Sequence, residues 1–130
     1  MDAIISMDEQ QRVVLFNPVA EKLFGVRAQE ALGQCIHRFI PERFRAAHSR
    51  HVEEFGRSGA TNRRMGALGT VSGLRANGEE FPIEAAISQV EIQGARLFTV
   101  ILRDITERQQ ADVRGRIKLS PLARKPLKTV

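Results

Sequence analysis

The chain has 130 residues, one cysteine (Cys35), no Trp, no Tyr and a formal net charge of +5. That length supports a single domain with a core that holds without staples, and a lone cysteine excludes an intramolecular disulfide. Asp2, Asp8, Glu9 and Arg12 break up the first twenty residues, so neither a signal peptide nor a membrane span is expected there, and a cytoplasmic protein is the default.

Ala3 to Met7 and Arg12 to Phe16 are two short runs of strand composition, separated by the polar connection Asp8-Glu9-Gln10-Gln11, which suits a hairpin. Asn17 before Pro18 predicts a helix start. Asn serves as N-cap, and Pro takes the first helical position, where its missing N–H costs nothing. This helix turns Val19, Leu23 and Phe24 inward and stops at Gly25. From Arg27 to Ile40 the pattern breaks into two short helical turns around Gly33. Pro41 then opens the longest predicted helix, to about Arg57, whose packed face reads Phe44, Ala47 or His48, His51 and Phe55.

Residues 61–69, rich in Gly, Arg and Asn, read as a mobile segment leading into a strand from Leu68 to Arg75. Ala76-Asn77-Gly78 predicts a type I′ hairpin into Glu80 to Gln89, where Phe81, Ile83, Ala85 and Ile87 alternate with polar residues. Gln93-Gly94 supports another hairpin into Leu97 to Leu102, an unbroken apolar run with the composition of a strand buried on both faces. Next comes Arg103-Asp104-Ile105-Thr106-Glu107-Arg108, in which Thr106 and Gln109 have capping-box spacing and would start a helix directly off a core strand. Asp104, Ile105 and Thr106 are therefore the expected signal relay, with Asp104 pairing with Arg103, Arg108 or an arginine of a partner.

The net charge arises in the tail: residues 111–130 hold Arg114, Arg116, Lys118, Arg124, Lys125 and Lys128 against Asp112, so the first 110 residues are formally neutral. A neutral globule with a basic appendage is not the footprint of a nucleic-acid reader, and Pro121 and Pro126 make the appendage a poor helix. Residues 109–130 are read as a basic C-terminal linker or tail, and the chain as a domain excised from a longer protein.

Four blocks in this order resemble a PAS domain over residues 1–108. They are Asn17-Pro18-x-Ala20-Glu21-x-Leu23-Phe24-Gly25, Leu32-Gly33, Arg75-Ala76-Asn77-Gly78-Glu79-Glu80-Phe81-Pro82, and the terminal Arg103 to Arg108 block. The resemblance implies an α+β fold with a five-stranded antiparallel sheet in the order 2-1-5-4-3, helices on one face and a pocket between the long helix and the sheet. It also implies a homodimer and a sensory role upstream of an effector such as a histidine kinase.

Pro41-Glu42-x-x-Arg45-x-x-His48 is similar to the helix that supplies the iron ligand of haem-binding oxygen-sensor kinases. By that resemblance His48 is the metal ligand if haem is bound, facing Ile83, Ala85, Ile87, Val100 and Leu102, while His51, Arg63 and Arg64 meet the propionates. The oxygen-binding arginine of those sensors is replaced here by Gly69. The plainer alternative makes His48 a buried, hydrogen-bonded histidine in a ligand-free interaction domain whose pocket is filled by Phe39, Phe44, Phe55 and Phe81.

Flavin chemistry is disfavoured. Cys35 stands one place early for a photoadduct and is read as a small core residue, and no Trp or Tyr is available to stack on the ring. No carboxylate or thiol completes a metal set with His37, His48 and His51, and no nucleophile constellation or phosphate loop supports catalysis, so the domain itself is not expected to be an enzyme.

Overall fold

The computed structural model describes residues 2–65 and 71–106, with the backbone alone over 62–65. The expected tail of residues 109–130, Arg108 and the Gln109 half of the capping box lie outside the described residues.

The element order is β1 (Ala3–Met7), β2 (Val13–Phe16), α1 (Pro18–Phe24), α2 (Ala28–Ala31), 3₁₀ turns at Ile36–Phe39 and Glu42–Phe44, α3 (Arg45–Ser58), β3 (Asn62–Met65), β4 (Val71–Leu74), β5 (Glu80–Ile92) and β6 (Ala95–Asp104). All pairings are antiparallel. β6 lies between β1 and β5, β2 flanks β1, and β3 and β4 share the outer edge of β5. β4 pairs with Glu80 to Ile83 and β3 with Ala85 to Ser88, so the sheet has five positions in the order expected.

Asn17 ties the first helix to the sheet. Its Oδ1 accepts from the N–H groups of Ala20 and Ile4, each at 2.9 Å, and its Nδ2 donates to the Asp2 carbonyl at 3.2 Å. One side chain thus caps α1 and closes the start of β1. At the other end Gly25 adopts φ 74° and donates to Glu21 O at 2.9 Å.

The core lies between the helical block and one sheet face. Ala3, Ile5 and Met7 of β1, Phe81, Ile83, Ala85 and Ile87 of β5, and Phe98, Val100 and Leu102 of β6 point into it. Phe24 is packed against Phe39 and Phe81 with centroid separations of 4.9 and 5.6 Å, and Phe16 stacks on Phe39 at 5.2 Å. Phe55 instead meets Phe98 at the far end. No helix among the described residues is long and apolar enough to cross a membrane.

Several local expectations are corrected. The long helix begins at Arg45, because Pro41 is extended and Phe44 N–H closes a three-residue turn onto Pro41 O. Asn62–Met65 is a strand, since thirteen-residue β5 outruns β4 and leaves edge groups that need partners. β6 is not buried on both faces: Ile101 is 44% exposed, because helices cover only one side of this antiparallel sheet. At Ala76-Asn77-Gly78 only Gly78 has positive φ, and Gly78 N–H donates to Arg75 O, the pattern of a type I turn followed by a left-handed glycine. The type I′ signature falls at Gln93-Gly94, with φ 51° and 81°. Cys35 is exposed, because the 3₁₀ turn that it precedes directs Ile36 and Phe39 inward instead.

Asn17→Ala removes the α1 cap and leaves Ile4 N–H without its side-chain partner. A loss of about 2 kcal/mol in urea-unfolding free energy is expected, with the urea dependence (m-value) unchanged.

Candidate functional site

A cavity of about 200 Å³ opens between α3, the helical turns and the inner sheet face. Ile5, Val100, Leu102, Ile83 and Ala85 form its sheet wall, and Phe24, Ile36, Phe39 and Ile40 its end. Phe44, Ala47, His48 and His51 of the long-helix segment, together with Val71 and Ser72 of β4, complete it. Its polar contributors are His48, His51 and Ser72, and no described Asp, Glu, Lys or Arg lines it.

His48 is the most unusual of these side chains. Its Nδ1 is buried without a hydrogen-bond partner, and the residue lines the cavity. Burial pushes its pKa from 6.5 down to about 4, and the neighbouring His37 and His51 push in the same direction. The ring stands edge-on to His37 at 6.2 Å, while His37 Nε2 is engaged with Ser49 Oγ at 2.7 Å. Among the described residues no group of three or more His, Cys, Asp or Glu could hold a metal ion.

Two strands leave the cavity for a second cluster. Beyond Leu102, β6 ends at Asp104, and beyond Val71 and Ser72, β4 leads to Arg75. Arg75 Nη2 donates to Asp104 Oδ2 at 2.9 Å, Nη1 to Leu23 O at 2.6 Å and Nε to Glu79 Oε1 at 2.9 Å. Its guanidinium lies 3.7 Å from the Phe81 ring centroid. The other oxygen of Asp104 accepts from Thr106 N–H at 2.9 Å and Thr106 Oγ1 at 2.6 Å. Partial burial opposes ionisation of Asp104, but the bonds from Thr106 and Arg75 outweigh it and hold the carboxyl below its usual range.

Comparison with known families gives one model, described as PAS domain, that matches residues 1–107. The chain belongs to the PAS domain family. Its relatives include sensor protein FixL of Bradyrhizobium diazoefficiens, 34% identical over 113 residues, which are 87% of this chain and 22% of that protein. Another is the oxygen sensor protein DosP of Escherichia coli, 29% identical over 104 residues, 80% of this chain and 13% of that one. The PAS domain therefore spans under a quarter of the length of either sensor. In structure it is similar to the PAS domain of a Colwellia psychrerythraea protein, with a TM-score of 0.69 and 22% identity, covering 82% of this chain and 87% of that one.

Of the side chains expected at the site, this PAS domain brings His48, His51, Ile83, Ala85, Val100 and Leu102 to the cavity wall. Ile87 is buried in the core but outside that wall, because it lies two residues farther along β5, past the cavity. Arg63 and Arg64 pair through their backbones with Ile87 and Ala86, and their side chains are outside the described set. Asp104 takes its charge partner from Arg75, not Arg103: alternation sends Arg103 to the outer face, where it meets Asp2 at 3.2 Å. The Arg75 role was missed although Arg75 opens a recognised block, since the contact spans 29 residues. Phe39 and Phe44 line the cavity as the pocket-filling alternative required, but Phe55 and Phe81 do not.

The native state resists protonation of His48 down to about pH 4, whereas the unfolded chain takes up that proton near 6.5. Stability is therefore complete above 6.5 and declines as pH falls through this window. His48→Leu should lessen the loss between pH 7.5 and pH 5 by about 2 kcal/mol, measured by urea unfolding of both proteins at the two pH values.

Proposed function

We propose that this PAS domain is a sensory module: a small molecule in the apolar cavity shifts the strands that form its wall, and the Arg75–Asp104 clasp passes the shift to the chain beyond Thr106. The observation that carries this reading is continuity. Leu102 is at the cavity and Asp104, on the same strand, is at the clasp, while Ser72 and Arg75 are related in the same way through β4. Ile83 lines the cavity and is the cross-strand partner of Asp104 itself. A displacement of either strand end alters the short hydrogen bonds that Asp104 accepts from Arg75 and Thr106, whose strength falls off steeply with angle.

The recipient is an effector such as a histidine kinase in the same or a partner protein, and the working unit is a homodimer in the cytoplasm. Kinship with FixL and DosP, both named as sensors, supports this assignment. A ligand-free interaction module is the second reading, favoured by the outer sheet face, where Leu15, Val90, Ile92 and Ile101 are exposed.

Asp104→Asn in the full-length parent protein separates the readings. The sensory reading expects the effector output to change by about fivefold or more, with the domain losing only about 1 kcal/mol because the pair is partly exposed. Unchanged output from a folded variant would sink it.

A further inference from the structure

We propose that Gly73 is the positioning residue that couples the cavity to the clasp: its bare α-carbon leaves room for Phe81 and Ile83 to meet, so a shift of the cavity wall at Ile83 reaches Arg75 through the Phe81 ring. This rests on the sensory reading above and names the side chains by which the signal leaves the cavity.

Space, not conformation, requires glycine here. Gly73 is buried in the regular strand β4 and its φ is outside the left-handed region, so other residues could adopt its backbone. A Cβ at this position would stand 3.0 Å from both Cε1 and Cζ of Phe81 and 3.3 Å from Cδ1 of Ile83. Gly73 is the cross-strand partner of Phe81, and Val71 is that of Ile83. One point on β4 is therefore within reach of two core side chains of β5, the close approach that a glycine in a strand permits.

Those two side chains have different duties. Ile83 lines the cavity and is paired across the sheet with Asp104. Phe81 stands outside the cavity wall, carries the Arg75 guanidinium at 3.7 Å from its ring centroid and meets Phe24 edge-on at 5.6 Å. A displaced ring must move one of these neighbours, because a packed interior has no slack. Phe24 is 1% exposed and in contact with Phe16 and Phe39 as well, whereas the Arg75 side chain is 21% exposed and held by hydrogen bonds. Arg75 is the neighbour that yields, and Asp104 is bonded to it at 2.9 Å.

The experiment uses the full 130-residue chain and two NMR readouts at the clasp, the titration of the Asp104 carboxyl and the exchange rate of Arg75 Nε–H. Gly73→Ala should raise the Asp104 titration toward the ordinary carboxylate range, because the Arg75 bond that helps to hold it down is weakened. Exchange of Arg75 Nε–H should become about fivefold faster or more, the range of one hydrogen bond. Gly56→Ala controls for overpacking as such: its Cβ would meet Phe98 Cζ at 3.3 Å, outside the cavity wall and at the far end of the core, and both readouts should keep their wild-type values. Ile83→Val removes Cδ1 at the cavity wall and gives the ring a place to move other than against Arg75. Added to Gly73→Ala, it should restore both readouts in part.

Unchanged readouts in a folded Gly73→Ala, equal changes in Gly56→Ala, or no restoration by Ile83→Val would each overturn the proposal. If Gly73→Ala does not fold, Phe81→Leu takes its place: it removes the ring beneath Arg75 and must move both readouts in the same direction, and unchanged values overturn the proposal as well. The sensory reading fails separately. In the full-length parent protein Gly73→Ala should shift effector output in the same direction as Asp104→Asn. If the clasp readouts change as expected and the output of both variants does not, the coupling stands and the sensory reading does not. If Asp104→Asn alters output while Gly73→Ala leaves the clasp unchanged, the sensory reading stands and Gly73 is not its coupling point.

Discussion

The register of β6 is the constraint on which the other features depend. It is paired along both edges, Ala3 to Met7 on one side and Ile83 to Ile92 on the other. A slip of one residue would invert every side chain on it. In the observed register Phe98, Val100 and Leu102 face the helices and Thr99, Ile101 and Arg103 face away. Ser6 Oγ and Thr99 Oγ1, 2.8 Å apart across the strand pair, add a polar lock to that alignment on the outer side. The same register delivers Asp104 to the end of the sheet facing Arg75.

Arg75 gathers the ends of four elements. It bonds to the carbonyl of Leu23 near the end of α1, to Glu79 across the β4–β5 turn and to Asp104 at the end of β6, while lying over Phe81 of β5. A guanidinium can do this because its donors diverge in one plane and its face packs on an aromatic ring. The ring beneath it belongs to the Phe16–Phe24–Phe39–Phe81 cluster, and Phe24 and Phe39 line the cavity. Packing at the cavity end and hydrogen bonding at the clasp are thus parts of one contiguous arrangement.

Much of this was legible in the sequence because the signals are local. Asn17-Pro18 and Gly25 marked both ends of α1, and the alternation of Phe81, Ile83 and Ala85 marked the inner face of β5. Periodicity put His48 on the packed side of the long helix. The misses share one cause, that burial and pairing are settled between segments. Cys35 looks like a core residue until Ile36 takes the inward place, and Asp104 has nearer arginines in sequence than the one it meets.

By itself the sequence determined the family, the strand order that the family implies, the caps, most of the turn positions and the inward faces of the strands. All of these follow from residue types at short, fixed spacing. Only the tertiary structure decided that a cavity of about 200 Å³ lies beside the long helix, that Nδ1 of His48 is buried without a partner, and that the clasp is made with Arg75. Those properties depend on distances between residues far apart in the chain, and such distances are set by how the helical block seats on the sheet, which no local pattern encodes.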